Sequence, residues 1–370
     1  MGDRVFNFSA GPGTLPEPVL RQAQEDIWDI FGTGIGILEH SHRGKAFDRV
    51  THETESVARE ITHIPDDYAV FWMQGGATSQ CYFVPANLLP ENRTADYFET
   101  GKWAGDSIKE APLYGGCHIC GSSKASNYDH IPMGDEVRYS DDPVYVHFTS
   151  NNTIMGTEFH DEPAPPNGAP LVCDASSDIF SRPIDVTKYG LIYAGAQKNL
   201  GPAGVTLLIA KKDLIAEPVR RLPDMMKFAN HAQKEGRFNT PPTFAVYLMG
   251  RVMRWIVEQG GLEIMKQRNE EKAGLVYDFL DEQDFYTPHA KPDSRSNMNI
   301  TFKCPTPELD KQFVAEAAEA GLDGLKGHRS IGGMRASMYN AMPKEGAIAL
   351  VAFMKDFAMK HAGEKAAASA

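Results

Sequence analysis

At 370 residues the chain exceeds the usual length of one domain, and a composition of 42% hydrophobic and 23% charged residues excludes extensive disorder. The net charge of −12 argues against nucleic-acid binding, which needs a basic surface, yet leaves room for a locally cationic pocket. The longest apolar runs, VTLLIA and AIALVAFM, fall far short of a bilayer span, which argues against a membrane role.

The opening, MGDRVFNFSAG, has no secretory apolar core and no Ser or Thr at position 6 for myristoylation, so a cytoplasmic chain is expected. An odd count of five cysteines suits a reducing compartment. Along the chain, Phe47, Val50, Val57, Ile61 and Ile64 recur at helical spacing, with Pro65 as the stop. Before that helix, Gly32-Thr33-Gly34-Ile35-Gly36 misses the dinucleotide-binding spacing and reads as a flexible loop. The run Tyr68–Met73 then predicts a strand, Gly75-Gly76 a turn, and the residues beyond it another helix. Further short runs, ADYFET, PVYVHFTS, PLVCDAS, GLIYAGAQ and GVTLLIA, predict strands of a mostly parallel sheet with helices on both faces. Cys117 and Cys120 have CxxC spacing without a second pair, so no metal site is expected, and they read as buried or loop thiols. From Phe244 to about Asp284 the pattern is helical without proline. A smaller C-terminal α+β unit follows, with strands at Asn297–Phe302 and Met334–Met338 and helices at Pro307–Ala320 and Glu345–His361. The tail GEKAAASA reads as frayed. The expected division is 1–16 as a segment packing near the small domain, 17–260 as the large domain and 261–370 as the small one.

In open α/β sheets ligands bind beyond the carboxyl ends of the strands. Lys198 lies in such a place, between Gly195-Ala196 and Gly201-Pro202-Ala203-Gly204. Most loop lysines are solvated, but small neighbours leave room for something large, and a desolvated lysine is a nucleophile toward carbonyls. Asp174 ends the strand Leu171-Val172-Cys173. Such an acid commonly caps a turn; it also suits the ring nitrogen of pyridoxal phosphate, which a carboxylate keeps protonated. Gln74-Gly75-Gly76-Ala77-Thr78-Ser79 follows a strand and opens a helix, where free amides and hydroxyls form an anion cradle. Trp103 follows the strand ADYFET, where a ring is placed to stack on an aromatic group, although a lone tryptophan is more often core. Arg43 beside His42, Arg329 beside His328, and Arg335 suggest a multiply anionic substrate such as a phosphorylated keto acid or a dicarboxylic amino acid.

Taken in order, Asn7–Pro12, His42-Arg43-Gly44, Gln74–Thr78, Ser150–Thr157, Cys173–Ser177, Gln197–Gly204, Phe238–Pro242 and Gly327–Ser337 resemble the motifs of the phosphoserine aminotransferase family, over nearly the whole chain. The resemblance implies the pyridoxal-phosphate fold of type I and a homodimer acting on L-glutamate and 3-phosphohydroxypyruvate in serine biosynthesis. It implies that Lys198 carries the cofactor, Asp174 faces its ring nitrogen, and Trp103 stacks on the ring. Thr153 and Gln197 would touch ring substituents. Ala77 and Thr78 would bind the cofactor phosphate, with Asn239 and Thr240 from the partner subunit. Arg43 and Arg335 would take substrate carboxylates, and His42, His328 and Arg329 the substrate phosphate. Which side chain of the 75–79 turn meets the phosphate, and whether a pyridoxine-pathway keto acid also serves, stay open. The alternatives are a serine–glyoxylate-type aminotransferase and a cofactor-free phosphometabolite-binding protein.

Overall fold

Residues 4–363 are described by a computed structural model; the tail from Glu364, read above as frayed, lies outside them. After a short strand β1 (Phe6–Asn7), helices α1 (Glu17–Trp28) and α2 (Lys45–Thr62) precede β2 (Tyr68–Gln74). Next come α3 (Gln80–Leu88), β3 (Thr94–Glu99), α4 (Lys102–Glu110), β4 (Gly116–Ser122) and β5 (Val146–Thr149). A small hairpin, β6 (Asn151–Asn152) and β7 (Thr157–Glu158), leads to β8 (Leu171–Asp174), β9 (Tyr189–Gly195) and β10 (Val205–Lys211). Helices α5 (Phe228–Gln233), α6 (Thr243–Glu258) and α7 (Gly261–Glu282) follow. The chain then forms β11 (Thr287–Pro288), β12 (Asn299–Lys303), α8 (Pro307–Glu319), β13 (Leu322–Asp323), β14 (Met334–Ser337) and α9 (Lys344–Lys360).

Seven strands form the central sheet in the order β2-β10-β9-β8-β5-β3-β4. Only β10 runs against the rest, being antiparallel to both β2 and β9. The sheet is covered on both faces, which is why its strands read as unbroken apolar runs. In β2, Tyr68, Val70 and Trp72 enter one core while Ala69, Phe71 and Met73 enter the other. The first core takes Val50 and Val57 of α2 and Val246, Met249 and Met253 of α6; the second takes Val84 and Leu88 of α3 and Phe228 of α5.

A third core gathers Phe8 with residues of α7, β12, α8, β14 and α9, around the antiparallel sheet β11-β12-β14. Helix α7 spans two cores, giving Leu262 and Met265 to the first and Ala273, Val276 and Leu280 to the third. The N-terminal strand β1 pairs in parallel with β13, Phe6 opposite Leu322.

Two local readings of the sequence need correction, the long helix and the glycine loop. The long helical pattern from Phe244 is two helices, because Gly260 and Gly261 adopt φ of +104° and +79°, in the left-handed region a helix cannot continue through. Of the two thiols read as buried or in a loop, Cys120 is buried and Cys117 partly so, both on the sheet-edge strand β4. The glycine loop at 32–36 is tied down: the Gly34 amide donates to Asp29 Oδ1 at 2.8 Å and the Ile30 amide to the Ile35 carbonyl at 3.1 Å. Among the described residues no helix is long and apolar enough to cross a membrane.

Candidate active site

Six parallel strands put their carboxyl ends along one edge of the sheet, and the residues that follow five of them converge there. β8 ends on Asp174, β9 runs into Gly195-Ala196-Gln197-Lys198, β5 leads to Ser150–Thr153, β3 to Gly101 and Trp103, and β2 to Gly75–Thr78. The single reversed strand, β10, makes the lysine segment a hairpin connection, pinned by bonds from the Ala196 amide to the Val205 carbonyl (3.0 Å) and from the Gly201 amide to the Ala196 carbonyl (2.7 Å).

The Lys198 amine donates to Thr153 Oγ1 at 2.6 Å and stands 5.4 Å from the centre of the Trp103 ring. Part of the lysine side chain is exposed, yet desolvation of the amine pulls its pKa from 10.5 down to about 8. The carboxylates of Asp174 and Asp178 oppose that fall, while the Arg335 guanidinium adds to it. Asp174 is itself buried, and its Oδ1 accepts from the Ser176 amide (3.0 Å) and the Ser176 hydroxyl (2.6 Å). Neither bond uses Oδ2, the oxygen left for a partner in the site. Asp178 accepts from Ser150 Oγ at 2.5 Å, and burial pushes its carboxyl up against the pull of Arg182.

Around this core sit polar atoms that the protein itself does not satisfy. Trp103 Nε1, Asn152 Nδ2, Gln197 Oε1 and Arg335 Nε are buried without partners among the described residues. Gly195 keeps the space between the strands open: a Cβ there would stand 3.0 Å from Gln197 Oε1 and 3.1 Å from the Ala77 amide nitrogen. At the turn after β2, Gly75 takes φ of +101° and donates to the Gly204 carbonyl, and the helical turn that follows leaves its first amides, those of Ala77 and Thr78, without a partner inside it.

On the side of the small core, Arg335 reaches over with Nη1 at 3.4 Å from the Thr153 carbonyl, and Ile331 packs with Ile154 and Met155 near Trp103. His328 holds Ser330 Oγ at 2.7 Å. Its pKa is lowered by burial first and then by Arg335, Arg329 and Lys102, so three cationic side chains share this rim with it. Lys198, Asp174, Thr153, Gln197, Trp103, Ala77, Arg335, His328 and Arg329 are therefore brought into one region.

His42, Arg43, Asn239 and Thr240 are not. No hydrogen bond, ion pair or ring contact joins them to the Lys198 group among the described residues. They lie near one another instead: Arg237 of the 235–240 loop pairs with Asp48 in the first turn of α2, just beyond Arg43. Close to them is an apolar surface with Trp28 85% exposed, Leu38 57% and Ile35 43%. Ser176, within the Cys173–Ser177 motif, was given no role from the sequence and Asp178 was not singled out; a hydroxyl two residues beyond a strand-end acid was the available signal for Ser176.

A family model described as aminotransferase class-V matches residues 5–350. A phosphoserine aminotransferase of Desulfotalea psychrophila is 51% identical to this chain, covering 97% of it and 99% of its own length. Among solved structures, phosphoserine aminotransferase from Bacillus circulans subsp. alkalophilus superposes with a TM-score of 0.95 at 45% identity, covering 97% of this chain and 100% of that one. A PLP-bound phosphoserine aminotransferase from Trichomonas vaginalis does so with a TM-score of 0.91 at 35% identity, over 95% and 100%.

The depressed pKa has a direct readout. Below it the amine holds its proton and is inert; above it the free base attacks. Reductive labelling of Lys198 by a small aldehyde and borohydride should rise with pH through about 8 and level off. A rise that continues through the ordinary lysine range would contradict the desolvated setting.

Proposed function

Because the chain belongs to the aminotransferase class-V family, we propose that it catalyses pyridoxal-phosphate-dependent transfer of the amino group of L-glutamate to 3-phosphohydroxypyruvate. The products are O-phospho-L-serine and 2-oxoglutarate, and the reaction belongs to serine biosynthesis. The observation that carries this reading is the half-buried lysine amine at a strand end, flanked by Asp174, Thr153, Trp103 and Arg335.

The residues present suit the cofactor. The four buried polar atoms without partners surround the lysine, and the Gly195 gap would be closed by any larger residue. Lys198 would hold the cofactor covalently, Trp103 would cover the ring, and Asp174, fixed through Oδ1 by Ser176, would keep the ring nitrogen protonated with its other oxygen. Thr153 and Gln197 would meet ring substituents, and the amides of Ala77 and Thr78 with the Thr78 hydroxyl would take the phosphate. When bound, pyridoxal phosphate supplies an electron sink for the charge left at the substrate Cα.

Lys198 does the proton transfer. With its amine free, it would remove the Cα proton of glutamate and hold it, and in the return half-reaction it would deliver a proton to the Cα of the new amino acid. A base with a pKa near 8 suits both directions at neutral pH, where neither its protonated nor its free form dominates overwhelmingly. Arg335, with Nε free, would grip the α-carboxylate common to both substrates. His328 and Arg329 would face the second anionic group, carboxylate in one substrate and phosphate in the other.

We place His42, Arg43, Asn239 and Thr240 in the active site of a partner subunit, so that the enzyme works as a homodimer. What supports this is their grouping away from Lys198 beside an exposed apolar surface. A cytoplasmic setting is supported by five cysteines that are all unpaired.

Four measurements test the reading. Lys198→Ala should abolish turnover and the yellow absorbance of lysine-bound cofactor; retaining both ends the proposal. Asp174→Asn should keep part of its cofactor and lose at least two orders of magnitude in kcat, about 3 kcal/mol. Near-normal turnover there would remove aspartate from its role. Finally, Lys198→Ala and Arg43→Ala chains, each inactive alone, should recover up to about a quarter of wild-type activity when unfolded and refolded together, because half of randomly paired dimers hold one intact site. No recovery would place Arg43 elsewhere. A coupled assay with glyoxylate in place of the phosphorylated keto acid separates the serine–glyoxylate-type alternative.

A further inference from the structure

Lys272, in the middle of α7, is 2% exposed and has no part in the chemistry above. Its Nζ donates to three carbonyls of a single turn: Met338 at 3.2 Å, Tyr339 at 2.8 Å and Met342 at 3.1 Å. Burial without a facing carboxylate, with Arg268 repelling it, pulls this lysine down to about 7. Three acceptors nevertheless need three N–H donors, which only the ammonium form has, and the carbonyl dipoles hold the proton on.

The turn that Lys272 gathers follows β14, the strand of Arg335; it touches Asn199 directly and reaches Gln197 through Gly13. On one side, the Asn340 amide donates to Asn199 Oδ1 at 2.9 Å. The Asn199 amide group in turn reaches the Ile179 carbonyl at 2.7 Å, and Asn340 Nδ2 reaches the Phe180 carbonyl at 2.8 Å. Asn269, one turn before Lys272 on α7, donates to Asn340 Oδ1 at 2.8 Å. On the other side, the Tyr339 ring lies against Gly13, where a Cβ would stand 2.7 Å from the ring and 2.8 Å from the Lys198 carbonyl. Gly13 donates its amide to the Gln197 carbonyl at 2.8 Å, and Tyr339 Oη donates to the Ala10 carbonyl at 2.5 Å. Gln197 and Asn199 are thus both anchored to a turn that hangs from one buried ammonium.

We propose that Lys272 is a positioning residue for the transamination, fixing the backbone on both sides of Lys198 through the 338–342 turn. This rests on Lys198 being the cofactor-bound base. A displacement near 1 Å at a reacting group costs up to about a hundredfold in rate, so slack in the turn is felt at the amine without any change in what contacts the substrate.

The test uses apo protein of wild type, Lys272→Met, Lys272→Arg and Asn340→Ala. Each is mixed with pyridoxal phosphate and quenched with borohydride at intervals, and labelled Lys198 peptide is counted by mass spectrometry. Lys272→Met and Asn340→Ala are expected to label about tenfold more slowly. Reconstituted, they should lose a similar factor in kcat with KM for glutamate changed less than about twofold. Lys272→Arg, which keeps charge and donors, should restore most of both. Labelling and kcat at wild-type values in folded Lys272→Met and Asn340→Ala overturn the proposal, as does a fall in melting temperature alone. Should Lys272→Met not fold, Asn340→Ala decides, since it leaves the ammonium and its three carbonyls in place. Wild-type protein unlabelled at Lys198 would bring down the functional reading itself, and the proposal with it.

Discussion

Everything in the site depends on removing one amine from water without neutralising it completely. Burial alone would drive Lys198 far down, and Asp174 and Asp178 pull it back. Asp174 stands close enough to help raise the Asp178 carboxyl, so Asp178 needs support of its own. Asp174 is held by two bonds from Ser176, and Asp178 by the Ser150 hydroxyl and the nearby Arg182. The balance of desolvation against paired charge sets a base that can both take and give a proton near neutrality.

That balance also explains why the cationic rim comes from a different part of the chain. Arg335 lies on β14 of the small sheet with His328 and Arg329 just before it, while Asp174 ends β8 of the large sheet and Asp178 lies in the turn that follows. Keeping the two charge sets on separate frameworks lets the cations face a substrate rather than collapse onto the carboxylates. The connection between frameworks is then made by neutral backbone and amide groups, Asn340 to Asn199 and Gly13 to Gln197, which fix position without moving charge.

Much of this was legible in the amino-acid sequence. Neither Lys198 nor Asp174 declares itself alone, since a strand-end acid commonly caps a turn and a loop lysine is commonly solvated; the two stand out together, and the parallel order of β8 and β9 puts their strand ends side by side. Trp103 and the Ala77–Thr78 turn follow from the same strand-end logic. The helix break at Gly260-Gly261 was missed because apolar spacing resumes beyond it almost in phase, and positive φ is invisible to periodicity. Lys272 gave no signal at all: a lysine inside a helix rich in Glu, Lys and Arg reads as solvated, and only tertiary packing buries it. For His42, Arg43, Asn239 and Thr240 sequence proximity to a motif carries no statement about which copy of the chain they serve.

The pairing of β1 with β13 has a temporal side. Leu322 is made long after Phe6, and the segment just after β1 supplies the Gly13 bond to Gln197. A nascent chain can assemble the large sheet, with its lysine and both acids, while its own beginning is still undocked. The Gly13 bond constrains the segment of the reactive amine only once β1 has docked, so the sheet with its lysine and acids can form before that segment is fully fixed.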